Sequence, residues 1–109
     1  MSVTFPKGFS AAGISAGIKL SEHKDLALVV ADELVVAAAV FTKNIAAAAP
    51  VRLSQAHIAN GRARAVVLSS GCANAGTGDQ GVENAARMAA AVGAAINCPA
   101  NEVLVCSTG

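Results

Sequence analysis

The stretch that decides the fold runs from Ala63 to Cys106, "ARAVVLSSGCANAGTGDQGVENAARMAAAVGAAINCPANEVLVC". Its first seven residues, Ala63 to Ser69, are rich in Val and Leu and read as a strand. Small and polar residues follow, Ser70 to Gly81, a composition that suits a loop. Thr77 and Gln80 have the spacing of a capping box, and from there Val82, Ala85, Ala86, Ala89, Val92 and Ile96 recur at helical spacing. The spacing therefore predicts a helix from about Gln80 to Ile96, packed through that face onto a sheet and ended by Pro99. Glu102 to Cys106, "EVLVC", is a second strand. An α/β domain follows from this strand, helix, strand order.

Upstream, Asp25 to Ala31 and Leu34 to Phe41 are also Val- and Leu-rich and flank Asp32-Glu33. They read as two antiparallel strands joined by a turn at the acidic pair, with unbroken apolarity that suits strands covered on both faces. Ser54 is a good N-cap for "QAHIAN", and Gly61 stands where a helix end wants positive φ, so a short helix is expected from Gln55 to Asn60.

At 109 residues the chain suits one domain, residues 1–109, or the first part of a larger one. Hydrophobic residues make up 54% of it and charged residues only 14%. Large exposed apolar patches are unusual on monomers, so part of this surface is expected to lie against another chain or further polypeptide. The net charge of +1 comes without a basic stripe or an aromatic stacking platform, which argues against nucleic acid as a partner. Asp32 and Glu33 interrupt the most apolar run, Leu26 to Phe41, which is shorter than the roughly 20 residues a membrane span needs. "MSVTFPKGFS" has no export signal, and Cys72, Cys98 and Cys106 make neither an even set nor a Cys-x-x-Cys, so a reducing cytoplasm is expected.

Gly76-x-Gly78-x-x-Gly81 has the spacing of a dinucleotide fingerprint, but six residues part it from the strand and no acidic residue ends the next strand. A glycine-rich connection into a capped helix is the simpler reading. His23 and His57 have no second ligand at metal spacing and read as exposed structural residues, so no metal is expected. Cys98 and Cys106 read as small buried residues, and Cys72 as a loop cysteine without a histidine to activate it. Lys19, Lys24 and Lys43 read as solvated, and Asp32-Glu33 as a turn and not an acid/base pair.

Seven stretches in order carry a more specific signal: "PKGF" at Pro6, "AAGISAGIK" at Ala11, "KDLALV" at Lys24, "AAVFTKN" at Ala38, "AAPV" at Ala48, "SSGCANAGTGDQG" at Ser69 and "VCSTG" at Val105. Together they resemble the N-terminal region of the ornithine acetyltransferase family, the bifunctional glutamate N-acetyltransferases of arginine biosynthesis. The resemblance implies a layered α/β sandwich with mixed sheets, of the self-processing Thr-nucleophile type, of which this chain is a part. It implies a precursor that cleaves itself before a threonine, and an acetyl group carried from N-acetylornithine to glutamate on that threonine. The free amine of an N-terminal Thr can serve as its base. The family's Ser-Thr-Gly matches Ser107-Thr108-Gly109, which makes the Thr108 hydroxyl and the Gly109 N–H the expected oxyanion hole.

Other expectations come with the resemblance. No cofactor is implied, although acetyl-CoA can enter as a co-substrate. The partners implied are the remaining α-chain segment and a Thr-initiated β chain, in an assembly of two α and two β chains. None of Thr4, Thr42, Thr77 and Thr108 stands in the family's cleavage context, so these residues alone are expected to be inactive. Where the family usually has Asn-Ser-Gly-Asn-Ala-Asn-Ala-Cys-Thr-Gly, this chain has Ser69 to Gly78 with Ser69, Cys72 and Gly76 at the altered positions. The rival expectation is a non-catalytic α/β module that binds a phosphate or nucleotide at Gly76 to Gly81.

Overall fold

The computed structural model describes residues 2–109. In chain order the elements are β1 (Phe9–Ile14), β2 (Leu26–Val36), α1 (Ala49–His57), β3 (Arg62–Ser70), α2 (Gly78–Ile96), a 3-10 turn at Ala100–Glu102, and β4 (Val103–Thr108). The four strands form one mixed sheet in the order β1-β2-β3-β4. The first two pairings are antiparallel, while β3 and β4 are parallel, with Ala65 opposite Val103 and Ser70 opposite Thr108. A parallel neighbour needs a crossover, and α2 is that crossover.

Burial alternates along β3 and β4. Ala63, Ala65, Val67 and Ser69 are buried while Val66 and Leu68 are not, and Val103 and Val105 are buried while Cys106 is exposed. The buried set meets α2 and α1 in one core of Ala65, Val67, Ala89, Val103 and Val105, joined by Leu28, Leu53, Val92 and Ile96. Helix α2 thus lies on that face, and α1 packs beside it along the edge of β4. The expected cover on both faces is not met among the described residues: the face with Val66, Leu68, Leu104 and Cys106 has no helix on it. Cys106 is correspondingly not the small buried residue expected, and Cys98 is only half-buried.

Several element boundaries differ from expectation. Asp32-Glu33 is no turn: β2 runs straight through it, and the register jumps from Val30–Ala65 to Val35–Ala63, so the acidic pair sits in an irregular bulge. Arg64 Nε donates to the Ala31 carbonyl at 2.7 Å beside that bulge. β2 pairs antiparallel with β3 and with β1, and the Ser, Ala and Gly content of β1 hides it from propensity reasoning. Residues 37–48 form no regular strand.

In α2 the buried stripe is Gly81, Ala85, Ala89 and Gly93, while Val82 and Ala86 are exposed. Ala85, Ala89, Val92 and Ile96 of the expected face do meet the core, and the small residues Gly81 and Gly93 extend it where Thr77 and the Cys98–Ala100 backbone come close. The helix stops at Asn97, left-handed at φ 60°, ahead of Pro99. The expected capping box is absent: Gln80 bonds Asn84, and the Thr77 hydroxyl bonds the Asn74 side chain.

Candidate functional site

The carboxyl ends of the parallel pair β3 and β4 lie side by side, the place where open α/β sheets hold their ligands. Here Ser69-Ser70-Gly71 faces Ser107-Thr108-Gly109. Ser69 Oγ donates to Ser107 Oγ at 3.0 Å on the helix side of the sheet. Gly71 N–H donates to the Thr108 carbonyl at 2.9 Å, which carries the ladder one step beyond β3. Thr108 is therefore held by its main chain, and both it and Gly109 are exposed.

Two loops close around this end. Residues 15–19 are pinned by Asp25, which is only 3% exposed. Its carboxylate accepts the N–H groups of Ala16 at 2.6 Å, Ile18 at 2.7 Å and Lys19 at 2.9 Å. These backbone donors, that of Ala16 first, hold the Asp25 carboxyl below its ordinary pKa. The Asp25 carbonyl in turn accepts the Ser70 N–H at 2.8 Å. The loop so placed leaves no space beside Gly71, where a Cβ would meet Ile18 Cγ2 at 2.9 Å and Lys19 Cγ at 3.0 Å, and Gly71 itself has φ +116°. Glycine is required there on both counts.

The second loop, residues 71–77, is tied to the first turn of α2. Asn74, left-handed at φ 53°, donates through Nδ2 to the Gly81 carbonyl at 2.8 Å. Gly76 and Gly78 have positive φ, and a Cβ on Gly81 would collide with the side chains of Thr77 and Asn74. All three glycines of the fingerprint-like motif are thus accounted for by backbone conformation and internal contact. The glycines therefore need no bound phosphate to explain them.

The other candidates fall outside this end. His57 is half-buried, not exposed, and its Nδ1 donates to the Val103 carbonyl at 2.8 Å, while His23 is exposed as expected. Ser54 is not an N-cap. Helix α1 begins at Ala49, with Pro50 in its first turn, and Ser54 lies inside it, 4% exposed, bonded to Val105. Pro50 was the available signal for that start, since proline favours the first helical turn. Among the described residues no three His, Cys, Asp or Glu side chains could hold a metal, and no helix is long and apolar enough to cross a membrane.

Comparison with known proteins adds the family. A profile described as the ArgJ family matches residues 10–109. The arginine biosynthesis bifunctional protein ArgJ of Thermobifida fusca is 53% identical over 110 residues, covering 100% of this chain and 29% of its own length. The protein of that name from Caldanaerobacter subterraneus is 48% identical over 107 residues, 26% of its length. This chain therefore spans under a third of those relatives. The crystal structure of ornithine acetyltransferase from Mycobacterium tuberculosis, complexed with ornithine, superposes with a TM-score of 0.94 at 50% identity, over 98% of this chain and 58% of that one. The ArgJ structure from Bacillus halodurans gives 0.90 at 41%, over 94% and 54%. With the α/β fold, the profile and these identities in agreement, the chain belongs to the ArgJ family.

Proposed function

We propose that this chain forms part of an acetyltransferase of arginine biosynthesis that moves an acetyl group from N-acetylornithine to glutamate, and that it contributes the oxyanion hole. The observation that carries the reading is the placement of Thr108 and Gly109: exposed at the carboxyl end of a parallel strand pair and fixed through the Thr108 main chain. The relatives' names and the ornithine complex of the M. tuberculosis enzyme support the substrate class.

The nucleophile in this reading is a threonine at the start of a β chain outside these residues. Its hydroxyl oxygen attacks the acetyl carbonyl carbon while its proton passes to the threonine's own amine. The carbonyl oxygen becomes an oxyanion, which the Thr108 hydroxyl and the Gly109 N–H stabilise. At Gly109 the missing side chain leaves the N–H open to close approach. Collapse breaks the bond to the ornithine nitrogen, which leaves with the proton. The glutamate amine then attacks the acetyl-threonine ester through a second oxyanion in the same hole; collapse breaks the acyl bond to the threonine oxygen, which takes back a proton from the attacking amine by way of the threonine's own amine. Only an amide and an ester are exchanged, so the chemistry needs no redox cofactor, and acetyl-CoA can serve as a second acetyl donor.

The assembly proposed is the remaining α-chain segment with a Thr-initiated β chain, two of each, in the cytoplasm. The small share of the relatives' length that this chain spans supports its completion by further polypeptide. In the complete enzyme, Thr108→Val keeps the shape of the side chain and removes the hydroxyl. Turnover is expected to fall by ~10²- to 10³-fold, the usual cost of losing one oxyanion donor. Turnover within a few-fold of the parent enzyme would remove Thr108 from the mechanism.

A further inference from the structure

β4 is an edge strand, and its outer edge is occupied by a helix. Main-chain groups alternate along a strand, and Thr108 turns its carbonyl inward to Gly71 of the β3 side. Cys106 and Leu104 therefore also face β3, while Val103, Val105 and Ser107 face outward. An outward edge normally meets another strand or water. Here the Ser54 hydroxyl donates to the Val105 carbonyl at 2.9 Å and accepts the Val105 N–H at 3.0 Å. One hydroxyl has the donor and the acceptor that both bonds require. Three residues on, on the same face of α1, His57 Nδ1 donates to the Val103 carbonyl.

We propose that Ser54, supported by His57, is a positioning residue for acetyl transfer: α1 takes the place of a neighbouring strand and holds β4 in place, and with it the two donors at Thr108 and Gly109. The inference rests on the oxyanion reading of those two residues. Ser54 engages both main-chain groups of one residue, so it holds the strand edge at Val105 against displacement in two directions. Thr108 lies three residues beyond Val105, roughly 10 Å along an extended strand. Between them the strand is gripped from outside at Val105 and from inside where Gly71 holds Thr108. Donors to an oxyanion tolerate little displacement, and a 1 Å error costs on the order of 10²-fold in rate.

The test is steady-state kinetics on the complete enzyme carrying Ser54→Ala, Ser54→Thr or His57→Ala, each assayed where circular dichroism shows it folded. Ser54→Ala is expected to lower kcat by about tenfold or more, with KM for both substrates within about twofold. Ser54→Thr, which retains the hydroxyl, restores most of that loss. Ser54→Ala with a lowered melting temperature but an unchanged kcat would overturn the proposal and leave Ser54 as a core hydrogen bond only. If Ser54→Ala does not fold, His57→Ala decides: a several-fold loss in kcat at constant KM supports the clip, and an unchanged kcat overturns it. The parallel Thr108→Val variant separates the two levels. If it too leaves kcat unchanged, the oxyanion reading falls and this one with it; if it alone slows the enzyme, only the positioning role falls.

Discussion

Asp25 is a carboxylate kept almost wholly from solvent, and three backbone N–H groups make its charged form the favoured one. Its carboxyl titrates below the ordinary value when folded, so the stability it adds is complete above the unfolded pKa of about 3.9 and is lost as pH falls through the lower folded value. Asp25→Asn presents an amide donor where donors already converge. The variant is expected to melt at a lower temperature near neutral pH, with the gap to the parent closing below about pH 4. Melting curves across that range check it, and a gap independent of pH would contradict it. Nothing local marks Asp25 in the sequence, because its partners are main-chain groups six to nine residues away that a loop brings round. Ser54 hides its role in the sequence for a related reason. Serine is a strong capping residue, so local reasoning assigns it to a helix start, whereas its bonds reach a strand 51 residues on. Removing that hydroxyl leaves two buried main-chain groups unpaired and is expected to cost ~1–3 kcal/mol in unfolding free energy, measurable by denaturant titration.

At the scale of elements, strong periodicity and strong composition were legible, and irregular backbone was not. β3, α2 and β4 stand close to where the Val-rich runs and the helical spacing from Val82 to Ile96 put them. β1 was missed because Ser, Ala and Gly are poor strand formers, and pairing with β2 supplies what propensity lacks. A bulge and a turn can share the same acidic pair, so Asp32-Glu33 alone could not decide between them. Gly93 shows how packing overrides propensity. Inside a helix, Ala is favoured over Gly by about 1 kcal/mol. Here a Cβ would stand 2.6 Å from the Cys98 carbonyl and 3.3 Å from the Ala100 nitrogen, both backbone atoms, and overpacking costs roughly 1–3 kcal/mol. The second effect outweighs the first, since a backbone cannot step aside as a side chain can. Gly93→Ala is therefore expected to lower the melting temperature, and a rise would show that the 3-10 turn yields instead.

For the whole molecule the surface area is the informative quantity. The chain exposes 6965 Å², against about 5,500 Å² for a monomer of its mass of 10.7 kDa. The excess, roughly 1,500 Å², is nearly twice what one partner buries in a standard protein interface. It accords with the uncovered sheet face that bears Leu68 and with the low charge content evident from composition. These 109 residues on their own are expected to associate as concentration rises, and sedimentation showing a monomer throughout would contradict that. Composition could announce the need for a partner, but not which face it meets, because that depends on which side of the sheet the helices take. The candidate site was legible only through the ordered blocks ending in "VCSTG"; periodicity alone marks a strand running into small residues. The most direct test of the central claim is a single-turnover measurement on the complete enzyme, following formation of the acetyl-threonine ester from N-acetylornithine in the parent and in Thr108→Val. The account predicts that ester formation slows by ~10²-fold or more while the dissociation constant for acetylornithine stays within about twofold. An unchanged rate of ester formation would contradict it.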